Sequence, residues 1–269
     1  MKCAVATAAV LVLGSLATPA GGQTTDERAA ARDIVAKRGD AIVRVMGTLK
    51  ARMSSDGRDN AMPDQAVHAS ATVIDPSGLT VLALSTIDPG NIIGKNPTFA
   101  AQKLTMTTEL VDVQLRLADG KEVPARIVLR DSDLDLLFVK PTTAPAAPMT
   151  AVDSAAGALA AMDPVVIVQR FGSVTGWKTA ASFGTVEVVV DKPRTYYMVA
   201  VVTTGNGVGA TVFDMKGQFA GLVTLRATDE SKGNALTGLN GDALRALGMI
   251  PSVLPASDIR EIAKQAAGK

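Results

Sequence analysis

Cysteine and histidine are almost missing from this sequence, each occurring once in 269 residues, as Cys3 and His68. A zinc site built from these side chains needs three or four of them, so no metal and no other cofactor is expected. Charge of one sign is missing as well, because 27 Lys and Arg stand against 26 Asp and Glu. Without a basic excess there is no electrostatic footprint of a nucleic-acid binder, and no nucleic-acid partner is expected. Aromatic residues make up only 3% of the chain. Any binding surface therefore depends on aliphatic contacts and backbone hydrogen bonds. The 47% hydrophobic content in turn excludes a disordered chain, and the length fits one large domain or two small ones.

The sequence also lacks a long hydrophobic run. Its one apolar stretch, Ala4 to Leu16, falls short of the roughly 20 residues that a membrane helix needs. Lys2 precedes it, and the small residues Thr18-Pro19-Ala20 and Gly21-Gly22 follow, which is the pattern of a secretory signal peptide spanning residues 1–22 with cleavage near Ala20–Gly22. The expected location is periplasmic or secreted. The mature chain is then expected to carry no integral membrane segment, no cysteine and no disulfide.

Residues 23–40 read as a helical segment, with Asp26 and Glu27 early and Lys37 and Arg38 late, matched to the helix dipole. From residue 41 the apolar period shortens to two. Strands are expected near 42–49, 67–74, 79–84, 110–117, 123–129 and 136–140, with Asp119-Gly120 as a hairpin turn. Residues 53–64 read as a polar loop, and the Gly- and Pro-bearing stretch 86–108 as a long surface loop. The Pro-rich run 141–148 lies in a linker placed at 141–152. Beyond it, strands are expected at 164–169, 179–190, 196–203, 209–213 and 219–225, then a helix over 256–266, with Lys216-Gly217 as a turn. This pattern predicts an all-β fold of two antiparallel six-stranded β-barrels with short terminal helices, the first barrel over 41–140 and the second, with its helix, over 153–269.

Several segments resemble, in order, those of bacterial trypsin-like serine proteases of the HtrA (Deg) type. Ala69-Ser70-Ala71-Thr72-Val73-Ile74-Asp75-Pro76-Ser77-Gly78 is similar to the family's G-S-G-x-x-I-D-x-x-G segment, and Asp119-Gly120 to its D-G hairpin. Arg130-Asp131-Ser132-Asp133-Leu134-Asp135-Leu136 resembles its R-D-x-x-x-D-L, and Gly205-Asn206-Gly207-Val208-Gly209-Ala210 its G-N-S-G-G-P. The resemblance spans about residues 41 to 265 and implies the same double barrel, with an active site between the barrels. The PDZ domain that such proteases usually carry is not expected after it.

The family's catalysis requires a serine nucleophile, a histidine base and an orienting carboxylate. The resemblance puts Ser85 at the histidine position, Asp135 at the carboxylate position and Gly207 at the nucleophile position. Serine does not take up a proton near neutral pH, and glycine has no side chain to attack with. No intact catalytic set is expected. His68 lies 17 residues before Ser85 and reads as a surface or strand-edge histidine, while Ser173, Lys178 and Ser182 carry no Ser-Lys motif. Asp135 has two readings, a remnant of the site or a residue bonded to local amides. Gly205, Asn206 and Gly209 are the equivalents of the oxyanion loop and a candidate nest of backbone amides. Trp177, the only tryptophan, reads as either an exposed anchor or a packed residue.

The function expected is that of a pseudoprotease, a non-catalytic module that captures a peptide or protein along a sheet edge. Two alternatives remain open, an active HtrA-type endopeptidase with a rearranged site and a purely structural subunit of an envelope complex. Neither partner nor oligomeric state follows from the residues.

Overall fold

In the computed structural model, residues 25–95, 99, 101–152, 157–200, 207–227 and 249–267 are described. The signal-peptide reading falls on residues outside this set. Helix α1 (Thr25–Arg38) leads through a 3-10 turn into β1 (Ile42–Ser55). There follow β2 (Arg58–Ala61), β3 (Gln65–Val73), β4 (Thr80–Ala83), a 3-10 turn (Leu84–Thr86), α2 (Pro89–Lys95), β5 (Thr105–Arg116), β6 (Glu122–Asp131) and β7 (Leu136–Pro141). The second half contains β8 (Pro164–Arg170), a 3-10 turn (Ser173–Thr175), β9 (Thr179–Val190), β10 (Tyr196–Val199), β11 (Thr211–Asp214), β12 (Phe219–Ala227), β13 (Met249–Pro255) and α3 (Ala256–Ala267).

Each half closes into an antiparallel barrel of six strands. In the first, the order β1-β3-β4-β7-β6-β5 returns to β1, because β1 is long enough to pair with β3 over Ile42–Leu49 and with β5 over Arg44–Ser54. Strand β2 is an appendage that pairs only with the far end of β1. The second barrel closes in the order β10-β13-β12-β11-β8-β9. Closure removes the free edges that such short strands would otherwise expose.

Strands such as β7 and β8 are apolar at nearly every position, and the structure gives the reason. Side chains alternate between faces, and here both faces are buried, each in a different core. Leu137 and Val139 point into the first barrel, whereas Leu136 and Phe138 join the cluster between the barrels. In β8, Val165 and Ile167 fill the second barrel while Val166 and Val168 face the seam. Phe213, Phe219 and Leu222 enter the seam from β11 and β12. The same cluster takes Ala31 and Ile34 from α1, and Ala256, Ile259, Ile262 and Ala266 from α3, residues spaced to share one helix face.

Polar bonds cross the same seam. Thr72 and Thr211 share a hydrogen bond of 2.6 Å between their hydroxyls, and the Ser70 hydroxyl accepts the amide of Arg170 at 3.0 Å. The buried Arg170 guanidinium donates to the carbonyls of Ile42, Gly39 and Trp177. Arg44 donates to the carbonyl of Arg170, and burial lowers its pKa to about 10.

Three sequence expectations differ from the fold. Residues 53–64, read as a loop, contain the end of β1 and all of β2, whose polar side chains alternate on a solvated hairpin and leave no apolar period to detect. The stretch 86–108, read as irregular, holds α2 and the start of β5. Strand β13 was not foreseen, and the expected strand 196–203 is described only as β10 up to Val199. The two hairpin turns form as expected: Gly120 and Gly217 take φ of 88° and 75°, a region that glycine enters without steric cost. No helix among the described residues is long and apolar enough to cross a membrane.

Candidate functional site

The cleft is organised around one carboxylate. Asp135 precedes β7 in a left-handed conformation, φ 60°, which aspartate tolerates better than most residues, and it is completely buried. Its Oδ1 accepts the amide of Ser85 at 2.7 Å and Nδ2 of Asn91 at 3.0 Å. Its Oδ2 accepts the Ser85 hydroxyl at 2.7 Å and the amide of Leu225 at 2.8 Å. Four donors from three segments, two segments in the first half of the chain and one in the second, therefore converge on a single side chain. A buried carboxylate requires such partners, since its four lone-pair positions otherwise go unsatisfied.

Each donor is fixed by its own element. The 3-10 turn after β4 carries Ser85, and the Leu84 amide bonds back to the Asp135 carbonyl at 2.9 Å. Asn91 is delivered by α2, which is anchored through the buried Asp88. That carboxylate accepts Nη1 of Arg130 at 2.8 Å and the hydroxyl of Thr108 at 2.6 Å, tying the segment to β6 and β5. Leu225 lies on β12, and that strand's edge decides what else reaches the cleft. Strand β11 pairs with it only as far as Leu222, and the Gly209–Ala210 turn extends the pairing to Val223. From Leu225 to Ala227 no strand lies beside that edge among the described residues.

The glycine-rich turn sits next to Thr86 through Gly209. Gly207 is buried and its carbonyl accepts the amide of Ala210 at 3.0 Å. Gly209 has φ 82°, a conformation that favours glycine, and a Cβ there would stand in tight contact, 3.2 Å from Cγ2 of Thr86. The Gly209 amide is spent on the Val223 carbonyl at 2.7 Å. Neither it nor the Ala210 amide is available to a ligand. Gly205 and Asn206 lie outside the described residues. Ser85 and Asp135 are thus bonded to each other, and Gly209 stands beside Thr86, the residue that follows Ser85.

His68 is elsewhere engaged. It lies on β3 opposite Met46, with its ring 6.3 Å from that of Trp177 in an edge-on arrangement. Burial, and then the charge of Arg44, lower its pKa from the ordinary 6.5. Because the folded value is depressed, the unfolded chain binds the proton more readily, and this contribution to stability is lost as pH falls below that ordinary value. Since no other histidine is present, its imidazole proton signal in an NMR titration is unambiguous. The expected midpoint lies below 6.5, and His68→Gln removes the corresponding pH slope of unfolding.

Trp177 is packed rather than free. The Arg116 guanidinium lies 4.6 Å from its ring centroid, and its carbonyl accepts from Arg170, so the residue bridges the two barrels. Asn91, Asp88 and Arg170 were not anticipated as site or seam residues. Arg170 had a visible signal, a charge ending the apolar run Val165–Val168, whereas Asn91 lay inside a stretch with no period at all. Among the described residues no group of three or more metal-ligating side chains occurs.

No curated protein matches the chain. The family model described as a trypsin-like peptidase domain matches residues 69–222, from β3 into β12, a span that contains Ser85, Asp135, Gly207 and Gly209 and more than half of the chain. Two closed six-stranded barrels with this cleft between them accord with that match, and the chain belongs to the trypsin-like peptidase domain family.

Proposed function

We propose that this chain is an exported, HtrA-type member of the family that has lost catalysis and holds an extended peptide or protein segment. The observation that carries the reading is how the lone pairs of Asp135 are used. In a working triad this carboxylate receives the imidazole N–H and orients the base. Here Ser85 fills that role through both its amide and its hydroxyl, while Asn91 and Leu225 occupy the remaining positions. A carboxylate engaged in this way has no lone pair left to take a proton from a nucleophile. Ser85 donates its own hydrogen to Asp135 and is not a base, and Gly207 offers no nucleophile.

Binding does not need those groups. Along the β12 edge from Leu225 to Ala227, where the Leu225 amide is already bonded to Asp135, a strand laid beside the remaining backbone groups gains affinity from main-chain bonds. The test is hydrogen exchange on β12 with a panel of extended peptides. Binding peptides are expected to slow exchange at Ala227, and N-methylation of alternate peptide amides is expected to abolish the effect. Protection that survives N-methylation, or cleavage of the peptides that disappears on changing Asp135, overturns the reading.

A further inference from the structure

Helix α1 and the β8–β9 face enclose a trough of about 530 Å³ on the side of the molecule where α1 covers the second barrel. Ala31, Val35 and Ala36 form its helical wall, and Val166, Ala181 and Phe183 line the opposite side. Its charge is confined to Arg28 and Arg32, one helical turn apart at the end of the trough nearer the N-terminus of α1. Both are exposed, and neither has a carboxylate partner among the described residues; the nearby Asp33 is paired with Lys37 at 2.7 Å. Two like charges at this spacing repel each other, and an anion between them relieves the repulsion.

We infer that this trough is a binding site for a single-chain anionic amphiphile, with an aliphatic tail along Val35, Val166 and Phe183 and a carboxylate held by Arg28 and Arg32. The volume lies within the range of small-molecule sites, and the lining follows the usual rule of an apolar wall with few polar groups placed to orient the ligand. Arginine suits the head group because its fork of donors matches a carboxylate in a bidentate arrangement. The site shares no residue with the Asp135 cluster and does not depend on the proposed peptide binding.

The test is titration calorimetry of the purified protein with sodium dodecanoate below its micelle concentration, alongside dodecanol and dodecyltrimethylammonium. Dodecanoate is expected to bind about tenfold more tightly than either, consistent with a charge-assisted contact. Decanoate is expected to bind roughly fifteenfold more weakly than dodecanoate, since each methylene is worth about fourfold. The double variant Arg28→Gln/Arg32→Gln, altered only at exposed positions, is expected to lose the preference for the anion while still binding dodecanol. Val35→Asp is expected to weaken all three ligands. Equal affinities for the three head groups, no binding, or an anion preference that survives in the double variant overturns the inference. So does co-sedimentation with phosphatidylglycerol vesicles without binding of monomeric dodecanoate, which would assign the arginines to a membrane surface.

Discussion

Asp135→Ala is expected to destabilise the fold by about 4 kcal/mol, the range seen when a buried polar network loses its centre. The substitution strips acceptors from the Ser85 amide, the Leu225 amide, the Asn91 amide group and the Ser85 hydroxyl, all in an environment from which the carboxylate itself is completely shielded. Because Leu225 belongs to the second barrel, the loss falls on the seam as well as on the loop. For a chain of this size each kcal/mol shifts the melting temperature by about 2–4 °C, so a drop on the order of 10 °C is expected in a thermal melt. Asp135→Asn is expected to fall between, since it keeps the shape but replaces one acceptor with a donor that faces donors. Ser85→Ala is expected to cost only about 1 kcal/mol, as it removes the hydroxyl and keeps the amide bond. A loss below 1 kcal/mol for Asp135→Ala contradicts the structural role given to this carboxylate.

The second large effect is expected at Arg170. Its guanidinium holds the carbonyls of Gly39 and Ile42 on one side of the seam and of Trp177 on its own side, while its backbone bonds to Ser70 and Arg44. Arg170→Met keeps the aliphatic stem but leaves three carbonyls without their donor, at a cost of about 3 kcal/mol in denaturant unfolding. Lysine is a poor substitute, because a single ammonium does not reproduce the planar fork, and Arg170→Lys is expected to recover about 1 kcal/mol of the loss. Full recovery by lysine shows that charge alone matters there, and then the geometric account of the staple is wrong. Burial lowers the pKa of Arg170, with Asp40 acting in the opposite direction, so the desolvation cost of the charge is offset by the Asp40 charge together with these bonds.

The double barrel was legible because its strands carry a strong period of two and its turns carry the glycines that tight hairpins require. Leu136–Val139 and Val165–Val168 gave continuous apolar runs, which mark strands buried on both faces without revealing that the two faces belong to different cores. Where polarity was uniform the period vanished, and β2, with Arg58, Asp59 and Asn60, was taken for a loop. The site was partly legible for another reason. Motif order brought Ser85, Asp135 and Gly207 to notice, and of these Ser85 and Asp135 are bonded to each other. Asp135 bonds to the amides of Ser85 and of Leu225, 50 and 90 residues away along the chain. Such pairings depend on tertiary closure. Asn91 was hidden for the same cause, because its partner lies 44 residues along the chain and its own segment has no periodic signal.

The proposed absence of a catalytic nucleophile is tested most directly by labelling the purified protein with a fluorophosphonate and measuring its intact mass, with an active trypsin-like protease as control. The account predicts no adduct, since the hydroxyl of Ser85 is bonded to Asp135 with no imidazole beside it and Gly207 has no hydroxyl at all. An adduct mapped to a single serine contradicts it and makes the protein an enzyme.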